Sequence, residues 1–296
     1  MCEPRTHDAG VSANSRITML RFNIIGPLNL TWNSETITVP RGPKVRQLLT
    51  LLTLRPGSVV SHGTLVDELW GKEPPKTALS TVRTHVYHLR KSLREALGER
   101  TAHDPIETWS TGYVLRALPE QVDTEVFQQL ARQGEALLNR GELVEGARLI
   151  RQALALWRGD PLTDVTRGPV LTQHVRHLEE LHMRTLQLRI DADMRMGLHC
   201  QIAAELKRLV ACHPLNEWLH GQLITALYRS GRRADALHAY HDMRNLLREE
   251  LGLDPSTELQ NLYQAILSDK AGNHSFVESP AAPVNRLFSG PVDRAS

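Results

Sequence analysis

Cysteine is almost missing from these 296 residues: Cys2, Cys200 and Cys212 are too few and too scattered for a disulfide framework or a thiolate metal site. That usage fits a reducing compartment. Long apolar runs are missing as well, and none approaches the roughly 20 residues a membrane span needs. The first 18 residues lack the apolar core of a secretory leader, so a cytoplasmic protein with no membrane partner is expected. There is no G-x-x-x-x-G-K-[S/T] phosphate loop and no G-x-S-x-G nucleophile turn. Neither an enzyme nor a cofactor is expected. His85/His88, His174/His177 and His238/His241 each share a helical face at a spacing of three, but a metal needs a further ligand. No metal site is expected.

What is present fits two ordinary globular domains, with 41% hydrophobic and 23% charged residues. The net charge of +2 hides a division along the chain. Residues 19–118 carry 13 Lys and Arg against 8 Asp and Glu, whereas residues 119–271 carry 18 against 21. A polyanionic partner would meet the front of the chain.

The front reads as three short strands, at 19–25, 28–32 and 36–39, broken by the turn pairs Gly26-Pro27 and Asn33-Ser34. A helix over 44–54 follows, with Pro43 in its first turn and Arg55-Pro56-Gly57 after it. After an extended stretch at 58–60, Ser61 caps a compact helix that ends at Leu69-Trp70 and is stopped by Gly71. A stiff loop of Lys72, Glu73, Pro74, Pro75 and Lys76 leads to a longer helix that Thr77 caps and Gly98 closes. Strands over 106–108 and 113–116, with a tip at 109–112, complete the order β-β-β-α-α-α-β-β. From Asp123 to about Ser268 the pattern is helical, and Gly197 and Gly231 open similar segments 34 residues apart, the tetratricopeptide period. The expected fold is mainly α with small β: a winged helix-turn-helix over 19–118, then an all-α tetratricopeptide-like domain over 119–271. Residues 1–18 and 272–296 read as disordered tails.

The helix over 77–97 carries the sharpest chemical signal. Leu79, Val82, Val86, Leu89, Leu93 and Leu97 fall within an arc of about 80° and form its apolar side. The other side holds Thr77, Ser80, Thr81, Thr84, Tyr87, His88 and Lys91, flanked by Arg83, His85, Arg90 and Arg94. Between Thr77 and Arg94 there are four positive charges and no acid. Solvated helices mix both signs, so a basic, hydroxyl- and imidazole-rich face points to a nucleic acid: Arg and Lys to phosphates, the rest to base edges. Trp70 is placed either to offer an indole N–H to a phosphate or to pack against the core with partial exposure, and Thr111 and Tyr113 lie at the wing, Tyr113 either in contact or plugging the core.

These residues match a known pattern. Leu69-Trp70-Gly71, Val82-x-x-x-Val86-x-x-Leu89-Arg90 and Thr111-Gly112-Tyr113-Val114-Leu115 resemble the response-regulator type of winged helix. With Ile25-Gly26-Pro27-Leu28, Pro43-Lys44-Val45-Arg46, Leu156-Trp157-Arg158-Gly159-Asp160-Pro161-Leu162, His213-Pro214-Leu215-Asn216-Glu217 and Glu250-Leu251-Gly252-Leu253-Asp254-Pro255, the chain is similar to small members of the Streptomyces antibiotic regulatory protein family. The resemblance implies an activator of secondary-metabolite genes, whose rear region is a bacterial transcriptional activation domain. It implies binding to double-stranded promoter DNA at direct repeats over the −35 region, as a homodimer on DNA, with recruitment of RNA polymerase holoenzyme. Carried to this sequence, the DNA contacts are Trp70, Thr81, Arg83, Thr84, His85, Tyr87, His88, Arg90, Thr111 and Tyr113, to which the helix face itself adds Thr77 and Lys91. The loop of Gly71, Lys72, Glu73, Pro74, Pro75 and Lys76 would face polymerase. Such a protein would lie in the cytoplasm, on the nucleoid. Where the family usually carries an arginine and prolines before the wing, Trp109-Ser110-Thr111 stands here, so no wing arginine is expected in the minor groove. A ligand- or peptide-binding helical-repeat sensor acting as a repressor remains the alternative.

Overall fold

A computed structural model describes residues 20–98 and 104–268. The two expected disordered tails lie outside the described residues. The first sheet is an antiparallel meander of β1 (Leu20–Asn23), β2 (Asn29–Trp32) and β3 (Glu35–Ile37). Asn33 and Ser34 turn β2 into β3 with φ of 50° and 73°, the left-handed pair whose twist suits a two-residue hairpin. Leu20, Phe22, Leu30 and Ile37 point inward. The helices α1 (Pro43–Thr53), α2 (His62–Trp70) and α3 (Ala78–Leu97) follow. Ser61 caps α2 as expected, its Oγ accepting from the Thr64 amide at 3.1 Å, and Gly71 ends it with φ of 63°. The second sheet pairs β4 (Val60–Ser61), β6 (Gly112–Leu115) and β5 (Ile106–Trp109), with β6 in the middle. Trp109 pairs with Gly112, so the hairpin turns on Ser110 and Thr111 alone and not on a four-residue tip.

Two local expectations change. The first strand ends at Asn23, because the Ile24 and Ile25 amides leave the ladder and donate to Asp123, at 2.8 and 2.9 Å. On α3 the buried stripe runs through Ala78, Val82, Val86, Leu89, Leu93 and Leu97, while Leu79 is half exposed. Leu79 shares the azimuth of Leu97, but it sits in the first turn; periodicity gives direction and not whether a neighbour covers that end.

A short 3-10 turn (Pro119–Gln121) leads into α4 (Asp123–Asn139), α5 (Leu143–Leu154) and α6 (Pro169–Arg195). The α4–α5 pair packs backbone to backbone. A Cβ on Gly134 would lie 2.7 Å from the Ile150 side chain, and one on Gly146 would lie 3.0 Å from the Gly134 carbonyl oxygen. This close approach is what small residues permit between paired repeat helices. Compactness divides the chain at Ala192/Asp193 into two units. In the first, one apolar core joins the strands and α1–α3 to Val122, Leu162, Val165, Leu171 and Val175 from the helical region. The second unit contains α7 (His199–Cys212), α8 (Glu217–Arg229), α9 (Arg233–Leu251) and α10 (Thr257–Ser268). Within it Ile202 and Leu206 on α7 are buried like Ala236 and Tyr240 on α9, each pair at the 34-residue offset.

In the first unit polar ties add to the apolar core at the joint between the β-rich front and the helices. The buried Asp123 carboxylate takes the Ile24 and Ile25 amides and lies 3.5 Å from the Arg158 guanidinium. Arg158 donates from its amide to the Ile25 carbonyl (3.3 Å) and from its side chain to that of Pro27 (3.2 Å). The Leu162 amide donates to the Gly26 carbonyl at 2.7 Å. Gly26 has φ of 118°, and a Cβ there would meet the Arg158 Cβ at 3.0 Å, so only glycine fits this grip. Asp164 accepts from the Leu28 amide at 2.8 Å and forms an ion pair with Arg46.

His174, on α6, gives a pH prediction. Burial, aided by the nearby His177, pulls its pKa down to about 4, and its Nε2 is buried without a hydrogen-bond partner. The folded state therefore resists a proton that the unfolded chain accepts near pH 6.5. The stability this confers is complete above pH 6.5 and is lost as pH falls towards 4, about 3 kcal/mol in all. Denaturant titrations of the wild type and of His174→Leu across pH 4–7 check it: the difference between them should widen as the pH drops.

Candidate nucleic-acid interface

The exposed side of α3 is formed by Thr77, Ser80, Arg83, Thr84, Tyr87, His88, Lys91 and Arg94, with Thr81, His85 and Arg90 half-buried along its edges. Thr77 occupies the N-cap position without a side-chain capping bond. Its carbonyl accepts instead from Ser80 Oγ (2.8 Å) and Thr81 Oγ1 (3.0 Å), and Thr84 Oγ1 donates to the Ser80 carbonyl (3.1 Å). With their protons turned back onto the helix, these three hydroxyl oxygens face outward as acceptors. Tyr87 is 62% exposed and meets His88 edge-on, with ring centroids 5.5 Å apart. Partial burial, then the charges of His88 and Lys44, holds the His85 pKa below its usual value. Its imidazole is therefore neutral at pH 7, with one donor and one acceptor. Lys91 has only a loose, exposed contact with Glu95, at 3.9 Å.

Two residues of the expected set are committed inside the domain. The Arg90 guanidinium lies 3.2 Å from Asp104 and donates to the Ile106 carbonyl and to Thr108 Oγ1, both at 2.8 Å. Arg90 thus ties α3 to the wing and holds no free fork for a phosphate. Tyr113 is 4% exposed, edge-on to His62 at 5.5 Å and beneath the Arg90 guanidinium at 6.0 Å. It plugs the core under the surface and offers almost no side chain to a ligand. Thr111 is exposed, and its carbonyl accepts from the His62 amide at 3.0 Å.

Trp70 packs partly against the core, with Lys44 Nζ 5.7 Å from its ring centroid. Lys44 also donates to the Leu69 carbonyl. In the sequence Lys44 is only part of a motif; its place beside Trp70 and His85 adds a cation to the flank of α3, which no spacing rule on α1 would locate. The loop after Gly71 keeps Lys72, Glu73, Pro74, Pro75 and Lys76 exposed, and the Ala78 amide closes it onto the Pro75 carbonyl at 2.9 Å. Trp109, at the wing, is 51% exposed. On the wing's outer edge Glu107 is held below its ordinary carboxyl range, first by the hydrogen bond from Arg116. Among the described residues no group of three or more His, Cys, Asp or Glu is placed to hold a metal, and no helix is long and apolar enough to cross a membrane.

Comparison with known proteins gives this arrangement its context. Residues 36–115 match the family described as transcriptional regulatory protein, C terminal, and residues 122–267 match the bacterial transcriptional activator domain. Over 267 residues the chain is 40% identical to the regulatory protein DnrI of Streptomyces peucetius, covering 89% of this chain and 98% of that protein. It belongs to the Streptomyces antibiotic regulatory protein family. The regulator is also 38% identical over 265 residues to AfsR of Streptomyces griseus, covering 90% of this chain but only 26% of that longer protein. Among solved structures it is similar to Mycobacterium tuberculosis EmbR in complex with a low-affinity phosphopeptide, with a TM-score of 0.76 and 29% identity over 84% of this chain and 65% of that one. The fold expected from the sequence is the fold of this family: a winged helix-turn-helix followed by an all-helical activator domain. The chain is a transcriptional regulator.

Proposed function

We propose that this regulator activates transcription of secondary-metabolite genes by binding direct repeats near the promoter −35 region and recruiting RNA polymerase. The observation that carries the DNA-binding part is the exposed face of α3, with exposed cations at Arg83 and Lys91, acceptors at Thr81 and Thr84, and imidazoles at His85 and His88. Such a helix, held between α2 and a β-hairpin, enters a major groove, where hydroxyls and imidazoles read base edges and cations neutralise phosphates. Thr77, Tyr87, Trp70 and Thr111 border that face. Arg90 and Tyr113 act beneath it. Two copies occupy adjacent repeats about one helical turn, roughly 10–10.5 bp, apart as a homodimer on DNA. The protein works in the cytoplasm, on the nucleoid.

Polymerase recruitment is assigned to the loop of residues 71–76, where Lys72, Glu73 and Lys76 are exposed and the prolines keep it stiff. Substituting Glu73 and Lys76 with alanine should leave promoter affinity within about twofold, as expected of exposed side chains away from the base-reading face. Transcription by purified polymerase should nonetheless fall several-fold. Unchanged transcription would place the recruiting surface elsewhere. DNA affinity of the wild type should drop by about 1,000-fold or more between 50 and 200 mM salt if six or more phosphates are engaged.

A further inference from the structure

Glu68 sits on α2, just before the loop that leads to α3, and its side chain does not serve α2. It is 2% exposed and crosses to the start of α6. One carboxylate oxygen accepts the Gly168 amide at 2.6 Å, and the other accepts the Val170 and Leu171 amides at 2.8 and 3.2 Å. Three of the amides that a helix start leaves without a partner are thus met by one buried carboxylate, at the positive end of the 27-residue α6. Gln47 of α1, 1% exposed, fixes the group from behind by donating to the Glu68 carboxylate (3.1 Å) and carbonyl (2.8 Å). The approach is close enough to exclude any side chain on the facing residue. A Cβ on Gly168 would lie 2.1 Å from the Glu68 carbonyl oxygen and 2.7 Å from its carboxyl carbon.

We infer that Glu68 is a positioning residue that fixes the spacing of DNA repeats the regulator accepts, by locking the helix pair that carries the reading face to the start of α6. The inference rests on the reading that two copies bind adjacent repeats. Neither the α3 face nor any candidate DNA contact includes Glu68, so affinity for one half-site does not depend on it. On the further reading that the second copy is met by the helical region, what depends on it is the stiffness between the reading helix and that region. A stiff link admits one separation and one rotational phase; a loose link admits several, because simultaneous engagement is lost only when the geometry forbids it. Asp164 supplies a second, more accessible tie across the same joint, through the Leu28 amide and Arg46.

The test uses the full chain and duplexes carrying either one footprinted repeat, two repeats at their natural spacing, or two with 5 bp inserted to turn the second to the opposite side. Wild type should favour the natural spacing over the inserted one by about 100-fold or more, the lower end of the gain from paired binding. Glu68→Gln, which places an amide N–H against backbone N–H groups and removes the charge, should reduce that preference to about threefold or less, with single-repeat affinity within about twofold of wild type. Asp164→Ala should shift the preference in the same direction, and it decides the matter if Glu68→Gln fails to fold in a thermal melt. A preference retained by the folded variants overturns the inference while leaving DNA binding intact. A wild type indifferent to spacing overturns the paired-copy reading and the inference together.

Discussion

Replacing Asp123 with alanine should destabilise the protein by about 3 to 5 kcal/mol, the usual cost of removing one partner from a buried polar cluster. Burial raises the pKa of this carboxyl against the opposing pull of the Ile24 and Ile25 amides and of Arg158. A carboxyl buried in that setting offsets its desolvation only because each oxygen is occupied. Without it, two amides at the end of β1 lose their acceptors in a place that water does not reach, each costing about 1–3 kcal/mol. The Arg158 guanidinium, at 3.5 Å, loses its counter-charge. Urea denaturation at pH 7 checks the prediction, with the midpoint lowered and the slope kept if the variant still folds cooperatively. A loss below about 1 kcal/mol would mean that the joint between the strands and the helices is held by apolar packing alone.

The second large effect concerns base reading. Thr84 presents an outward acceptor and a methyl group, and His88 an exposed imidazole one turn further along the same face. Converting both to alanine should remove about 2 to 4 kcal/mol of discrimination between operator and random DNA, a factor of roughly 30 to 1,000, since each good base contact is worth about 1–3 kcal/mol. Affinity for random DNA should barely change, because phosphate contacts are kept. Lys91→Ala should do the reverse, weakening operator and random DNA alike and lowering the salt dependence. Competition binding at fixed salt separates the two patterns. Unchanged discrimination in the double variant would place base reading on other residues.

These effects divide along the line between local and long-range information. Ser61, Gly71, Gly98 and the Asn33-Ser34 pair announced their turns and caps because capping and left-handed turns are decided by a few neighbouring residues. The α3 face was equally readable, since 100° per residue fixes which side chains share a side. The roles of Asp123 and Glu68 were not readable: the backbone amides they accept lie 98 to 103 residues away, and a lone acid in a helical pattern looks like any solvated acid. Arg90 shows the same limit from the opposite side. Its position suited a phosphate contact, but Asp104, Ile106 and Thr108 reach it first through the hairpin. Family-typical strings such as Ile25-Gly26-Pro27-Leu28 and Arg158-Gly159-Asp160-Pro161-Leu162 prove to be two halves of one joint, in which the Arg158 and Leu162 amides grip the Ile25 and Gly26 carbonyls.

Hydroxyl-radical footprinting of the full chain on its neighbouring promoters, with and without polymerase, tests the central claim most directly. Two protected half-sites about one helical turn apart, in phase on one side of the duplex and continuous with the polymerase footprint, are the predicted result. Absent or sequence-independent protection at a salt concentration where the protein still binds DNA would contradict the account.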